Sequence, residues 1–342
     1  MRYISLFSGI GGFEKAIELV YPNAECIGYS EIKPTAQKVY QRHYPEHNNL
    51  GDITLITRKQ ILELGRCDLL VGGFPCTNLS SMANFNSGNN GLDGPQSGLF
   101  WEMIRIIKMA KPKYVIIENN ASMTLENQHI ITESLRKIFQ NILMTPLNAS
   151  DFSLQTRRRL FWTNFPISKK CPKKVPTWDD ILQPIEDIPT RYFISDLYIN
   201  NTMNKIIDNR SGTGSIVLAK HACKKNKNGK QLWKFITTKG VPRQISRFQM
   251  GHHSDNGSDN IPYTYPIGKS RPLCSTKGII VHRTIESPEK FYIRNFTITE
   301  RCRLFGFPDD YVDMLVSEIS KIDVLGNSVV VPVITHILRN LP

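Results

Sequence analysis

The chain has no C-x-x-C pair, and its 7 cysteines are odd in number and scattered. That pattern argues against a disulfide framework and the usual zinc spacings, and points to free thiols in a reducing compartment. There is no uninterrupted apolar run long enough to span a bilayer, so no membrane partner is expected. Residues 1–13 are a short apolar segment running into glycines, without the basic start and long apolar stretch of a signal peptide. A cytoplasmic, nucleoid-associated protein is expected, or a nuclear or viral-factory one in a eukaryote or virus. The Walker pattern is missing too: Gly268-Lys269-Ser270 ends like one, but Tyr263 stands where its first glycine is required. His252-His253 with Asp255 lacks further ligand spacing and reads as a polar loop, so no metal is expected. Internal repeats and heptads are absent, and a monomer is expected.

Acidic residues are the other shortage. The chain carries 43 Lys+Arg against 30 Asp+Glu, a net charge of +13. Between Asp208 and Asp255 there is no acidic residue at all, while Arg210, Lys220, Lys234, Arg243 and Arg247 are among the bases there. Such a stretch points to a polyanionic partner, nucleic acid above all.

What is present is an alternation of short apolar runs and helical patterns, the signature of a doubly wound α/β sheet with parallel strands. Strands are expected at 3–7, 25–29, 68–72, 114–118 and 160–164. Helices are expected at 12–20, 35–43, 99–109 and 133–141, and two more at 299–305 and 329–338. At 342 residues there is room for one large domain and a smaller one. The Asn-, Ser- and Gly-rich stretch 77–98 reads as a long functional loop. Lysines around Cys171-Pro172 read as a linker.

Several residues carry chemistry. Phe7-Ser8-Gly9-Ile10-Gly11-Gly12-Phe13 joins the first strand to the first helix, where glycines let the backbone approach a ligand and the helix offers free N–H groups. Glu31, just past the second strand, is placed to grip ribose hydroxyls, and Asp52 can accept from an adenine amino group; together they point to a nucleoside cofactor. Cys76, in Gly72-Gly73-Phe74-Pro75-Cys76, sits at the carboxyl end of a parallel strand, where α/β enzymes place their sites. A thiol there becomes a nucleophile given local positive potential. Glu118-Asn119 ends an apolar strand at the same edge, where a sheltered carboxyl can carry or share a proton. Gln155, Arg157 and Arg159 share one face of an extended chain, with Arg158 opposed. Two guanidiniums on one face suit a phosphate or a base carbonyl.

In this order the pieces resemble the cytosine-C5 DNA methyltransferase family. Its F-x-G-x-G matches Phe7, Gly9 and Gly11, and its P-C-x-x-x-S matches Pro75, Cys76 and Ser80. Its E-N-V matches Glu118-Asn119, with Asn120 in place of Val. Its Q-x-R-x-R matches Gln155, Arg157 and Arg159. Its penultimate motif matches Arg294, Thr297, Glu300, Arg303, Leu304, Gly306, Phe307 and Pro308, and its G-N-S-V matches Gly326-Asn327-Ser328-Val329. Six motifs in family order make a specific match, leaving only about 168–290 without motifs.

The resemblance implies a Rossmann-like sheet and S-adenosylmethionine as methyl donor. It places Phe7, Gly9, Gly11, Glu31, Asp52, Pro75, Leu99, Asn327 and Val329 around that cofactor. It implies that Cys76 adds to C6 of a cytosine flipped out of duplex DNA. Glu118 then holds N3 and the exocyclic amine, Arg159 contacts O2 and Arg157 supports the site. Residues 1–168 and 291–342 make a discontinuous catalytic domain, onto which the last helix packs back. Residues 169–290 make a target-recognition domain. DNA-contacting candidates are Ser80, Gln155, Arg210, Arg243 and Arg247. Two alternatives stay open on sequence: the same chemistry on tRNA, since Cys274-Ser275-Thr276-Lys277-Gly278 faintly resembles a segment of tRNA-type members, and a non-catalytic DNA-binding regulator.

Overall fold

The fold is taken from a computed structural model that describes residues 1–75, 98–168, 170, 172, 174–193, 243–246, 278–283 and 291–342. Six strands form the main sheet: β1 (Arg2–Leu6), β2 (Glu25–Ser30), β3 (Leu69–Gly73), β4 (Tyr114–Asn120), β5 (Leu143–Asn148) and β6 (Arg158–Thr163), in the order β2-β1-β3-β4-β6-β5. The first four are parallel, as the alternating pattern predicts. β6 runs antiparallel to both β4 and β5, so the sheet is mixed at that edge. β5 was not expected: it is an edge strand containing Pro146, with Leu143 and Met144 exposed, and it shows no apolar run.

Both faces of the sheet are buried. Tyr3, Leu69, Val71, Ile116 and Phe161 point to one face, and Ile4, Leu6, Leu70, Val115, Ile117, Leu160 and Trp162 to the other. This two-sided burial explains why the central strands read as nearly continuous apolar runs. The second face is covered by α3 (Arg58–Glu63), α4 (Leu99–Ala110) and α5 (Leu125–Arg136). α5 begins earlier than the expected 133–141, because the Thr124 side chain accepts the Asn127 N–H and starts the helix there.

The first face is covered by α1 (Gly12–Val20) and α2 (Pro34–His43), and by helices from the far end of the chain. After the four-residue α6 (Trp178–Ile181) come α7 (Ile298–Phe305), α8 (Glu318–Gly326) and α9 (Val331–Leu338). α9 packs on α1, and the Tyr21 hydroxyl donates to the Leu338 carbonyl. Tyr311 likewise donates to the Ile10 carbonyl, tying the C-terminal segment to the first glycine turn. Residues Glu318–Leu338 are apolar enough by composition to cross a membrane, but they are two helices, and two thirds of the most apolar stretch is buried here. A separate antiparallel sheet contains β7 (Arg243–Ser246), β8 (Gly278–Arg283) and β9 (Phe291–Asn295), and β9 leads directly into α7.

The return into α7 is held by a fully buried ion pair. Arg294 meets both oxygens of Glu300, at 2.6 and 2.7 Å. Glu300 also accepts the N–H groups of Thr297 and Gln183, so its charge is satisfied from three sides. A buried pair this well bonded tolerates its desolvation; losing one partner would leave a bare charge.

Candidate active site

The carboxyl ends of β1 and β2 build the first half of the site. Phe7 and Gly9 both take left-handed backbone angles, φ 55° and 58°. For Phe7 that is strained, as side chains at functional turns often are. Around Gly9 there is open space, whereas a Cβ at Gly11, also left-handed, would strike the Tyr44 ring at 2.7 Å. The Gly9 N–H donates to Glu31 Oε2 at 2.8 Å, and Glu31 Oε1 accepts from the N–H groups of Ile32 and Lys33. Glu31 is therefore fixed in place with lone pairs still available. Asn49 and Gln37 hold its carbonyl from behind. Asp52 caps a short turn through one oxygen, Oδ1, which takes the Thr54 N–H and hydroxyl.

The G-N-S-V turn closes this half. A Cβ at Gly12 would collide with Val329 Cγ2 at 2.7 Å and Ser328 Oγ at 2.8 Å, so the two turns pack directly on each other. Asn327 caps α8 and donates to the Asp323 carbonyl and carboxylate. Leu99, at the start of α4, is partly buried against the second core, and Pro75 is half-buried after β3. The donor set is two carboxylates, an open glycine turn and the exposed side chain of Ile32. That set fits a nucleoside bearing a ribose diol, an amino group and an apolar ring face. Ile32 was missed from sequence; its signal is a large apolar side chain exposed beside a fixed carboxylate.

The second half lies at the ends of β3, β4 and β6. Arg159 Nε pairs with Glu118 Oε1 at 2.8 Å, with both side chains mostly buried. They line a cleft with Arg157, Phe161, Val329 and Val330, so Val329 faces the Glu118 cleft as well as the glycine turn. A Cβ at Gly73 would sit 2.7 Å from Glu118 Oε2, and one at Gly72 would strike the Leu6 carbonyl at 2.7 Å. The double glycine before Phe74-Pro75 thus exists for space. Asn119, for which the sequence offered no role beyond its motif, is buried and donates to the Phe74 carbonyl at 3.0 Å, fixing the turn that leads to Cys76.

The two arginines separate in role. Both line the cleft, but Arg159 pairs with Glu118, whereas Arg157 is buried and donates to the carbonyls of Gly326 and Ser328, both at 3.0 Å. Its guanidinium also lies 5.5 Å from the Phe305 ring centroid. Arg157 therefore acts as a clamp between β6 and the G-N-S-V turn. Gln155, expected to contact DNA, is 0% exposed, and in this structure a duplex has no surface of it to touch. The alternation of the motif does appear, with Arg158 outward. Cys76, Ser80, Arg210 and Arg247 lie outside the described residues, as does nearly all of the acid-free stretch. Of Arg243 only the strand is described.

Three other cysteines can be assessed. Burial pushes the thiols of Cys26, Cys67 and Cys302 up to about 12, which leaves them protonated and unreactive near neutrality.

A fixed carboxylate after β2 and an arginine-paired glutamate near the end of β4, on one sheet edge, fit a methyltransferase of Rossmann-like fold. More narrowly, the chain belongs to the C-5 cytosine-specific DNA methylase family, which it matches over residues 1–342. It is a DNA cytosine-C5 methyltransferase, the reading that the resemblance implied. It is 26% identical to the Type II methyltransferase M.NgoBV of Neisseria gonorrhoeae, over 100% of this chain and 98% of that protein. It is 29% identical to the Type II methyltransferase M.HpaII of Haemophilus parainfluenzae, over 97% of this chain and 86% of that protein. Among solved structures, the Entamoeba histolytica methyltransferase EhMeth aligns at a TM-score of 0.65 and 16% identity, over 99% of this chain and 97% of that one. A putative DNA modification methyltransferase encoded within an E. coli prophage aligns at 0.61 and 17% identity, over 99% and 98%. These two likenesses show the fold.

Proposed function

We propose that the chain methylates C5 of a cytosine flipped out of duplex DNA, with Cys76 as nucleophile. The observation that carries this reading is the Glu118–Arg159 pair, held in a cleft beside the Phe74-Pro75 turn from which Cys76 follows. C5 of cytosine is too weak a nucleophile to take a methyl group unaided. Addition of the Cys76 thiolate to C6 makes C5 an enamine-like carbon. Glu118 holds N3 and the exocyclic amine of the adduct, and Arg159 contacts O2. Arg157 acts one step back, by holding the Gly326–Ser328 carbonyls in register with β6. Once C5 carries the methyl group, loss of its proton and elimination of Cys76 return a methylated base. A stacked base cannot reach any of these groups, so the base leaves the duplex first.

S-adenosylmethionine, when bound, supplies the methyl group. Glu31 takes its ribose hydroxyls and Asp52 its adenine amine, with Ile32 against the ring. Phe7, Gly9, Gly11, Pro75, Leu99, Asn327 and Val329 complete the pocket.

Residues 169–290 serve as target-recognition domain, with the basic stretch on phosphates. Arg210, Arg243 and Arg247 are candidates for base or backbone contacts, and Ser80 contacts DNA beside the nucleophile. The Type II methyltransferases among its relatives support a place in restriction–modification, in the cytoplasm with the chromosome. Bisulfite sequencing of DNA from cells expressing the chain tests the whole reading. Methylation at one short recurring sequence is expected, and none in cells expressing Cys76→Ala. Unmethylated DNA throughout would refute it.

A further inference from the structure

One set of polar contacts lies outside every motif discussed so far. Lys33, the residue that precedes α2, forms an ion pair with Asp323 of α8 across 290 residues of chain. Each partner touches a turn already assigned to the cofactor. On one side, the Lys33 N–H donates to Glu31 Oε1 at 2.7 Å, and Glu31 Oε2 accepts from the Gly9 N–H at 2.8 Å. On the other, Asn327 Nδ2 donates to the Asp323 carbonyl at 3.0 Å and to Asp323 Oδ1 at 3.1 Å. A continuous path thus runs Gly9, Glu31, Lys33, Asp323, Asn327, from the Glu31 turn to the turn that begins at Gly326. Among the described residues, the Lys33–Asp323 pair is the one hydrogen bond or ion pair that joins residues 31–37 to α8.

We propose that Lys33 and Asp323 are positioning residues for the cofactor: their ion pair sets the spacing between the Glu31 turn and the Gly326–Val329 turn, and so how tightly S-adenosylmethionine and its demethylated product are held. The proposal rests on the cofactor reading given above. The physical reason is that the two walls come from opposite ends of the chain. Without the pair the cleft samples wider separations. The fraction of molecules in the binding geometry then falls, and the apparent affinity falls by that fraction. Both side chains are partly open to water, at 47% and 33% exposure, so salt should weaken the clasp.

Calorimetric titration of the full-length protein with S-adenosylmethionine and with S-adenosylhomocysteine tests this. Lys33→Met and Asp323→Asn should each weaken binding roughly two- to five-fold, the range open to a partly exposed ion pair. The double variant should be no worse than either single one, because both remove the same contact. The charge swap Lys33→Glu with Asp323→Lys should recover most of the affinity. Raising ionic strength should weaken wild type more than Asp323→Asn. In methylation assays the loss should fall on the cofactor KM, with kcat nearly unchanged. Wild-type affinity in both single variants would overturn the proposal. So would losses that multiply in the double variant, or losses that follow a lowered melting temperature and resist the charge swap. If wild type itself binds neither compound, the cofactor reading falls first, and this one with it.

Discussion

Replacing Glu14 by glutamine should change how stability depends on pH. Glu14 lies in the first turn of α1, directly after the glycine turn, and is 1% exposed. Its Oε1 accepts from the Tyr40 hydroxyl at 3.0 Å, and that hydroxyl lies 3.0 Å from His47 Nδ1. Among the described residues, Oε2 has no close hydrogen-bond partner, and the Ser5 hydroxyl offsets its burial only in part. Around it stand Tyr3 and Cys26 from β1 and β2, Tyr40 and Tyr44 from α2 and its end, and Glu31, none of which brings a positive charge. Burial therefore raises the carboxyl from 4.5 to about 7. The folded state keeps a proton that the unfolded chain releases in that interval. Stability is accordingly full below pH 4.5 and declines as pH rises to 7. At about 1.36 kcal/mol per pH unit, the interval from 4.5 to about 7 corresponds to a loss of about 3 kcal/mol.

Glu14→Gln keeps an acceptor for Tyr40 and removes the titration. Urea unfolding at pH 5 and pH 8 measures both proteins. The stability difference should move in the variant's favour by roughly 2–3 kcal/mol between those pH values. Parallel pH curves for the two proteins would refute the reasoning, because they would mean that the carboxyl is ionised at no cost in the fold.

Two further substitutions probe the site and its support. Gly73→Ala places a methyl 2.7 Å from Glu118 Oε2 and should lower kcat on the order of ten-fold or more by displacing the carboxylate from Arg159. Its affinity for S-adenosylmethionine should stay near wild type; unchanged kcat would show that Glu118 is not held where the chemistry needs it. Arg294→Met leaves Glu300 buried without its cation and should cost about 3–5 kcal/mol in chemical unfolding, whereas a loss under 1 kcal/mol would mean that the pair is not what holds α7.

The strands were legible where both faces are buried, since β3 and β4 carry the unbroken apolar runs Leu69–Val71 and Tyr114–Ile117. β5 was hidden because edge strands with exposed Leu143 and Met144 carry no such run. α8 was missed as well: Ile319 is exposed and only the second half of the helix is buried, so the apolar periodicity is short. Glu31, Glu118 and Arg159 were legible because each ends or enters a recognisable strand. The true work of Arg157 was not, because the carbonyls it binds lie 169 and 171 residues further along the chain. The burial of Gln155 was hidden for a related reason. Alternation fixes which residues share a face, and burial decides whether that face is open to a ligand.

The central claim is that Cys76 bonds to the base. Incubating the protein with S-adenosylmethionine and a duplex carrying 5-fluorocytosine at the methylated position tests it directly, since a C5 fluorine cannot leave as the proton does. A protein–DNA adduct that survives denaturation is expected, with the mass increment mapping to the peptide that contains Cys76 and absent in Cys76→Ala. Attachment at another residue, or methylation of ordinary cytosine by Cys76→Ala, would contradict the account.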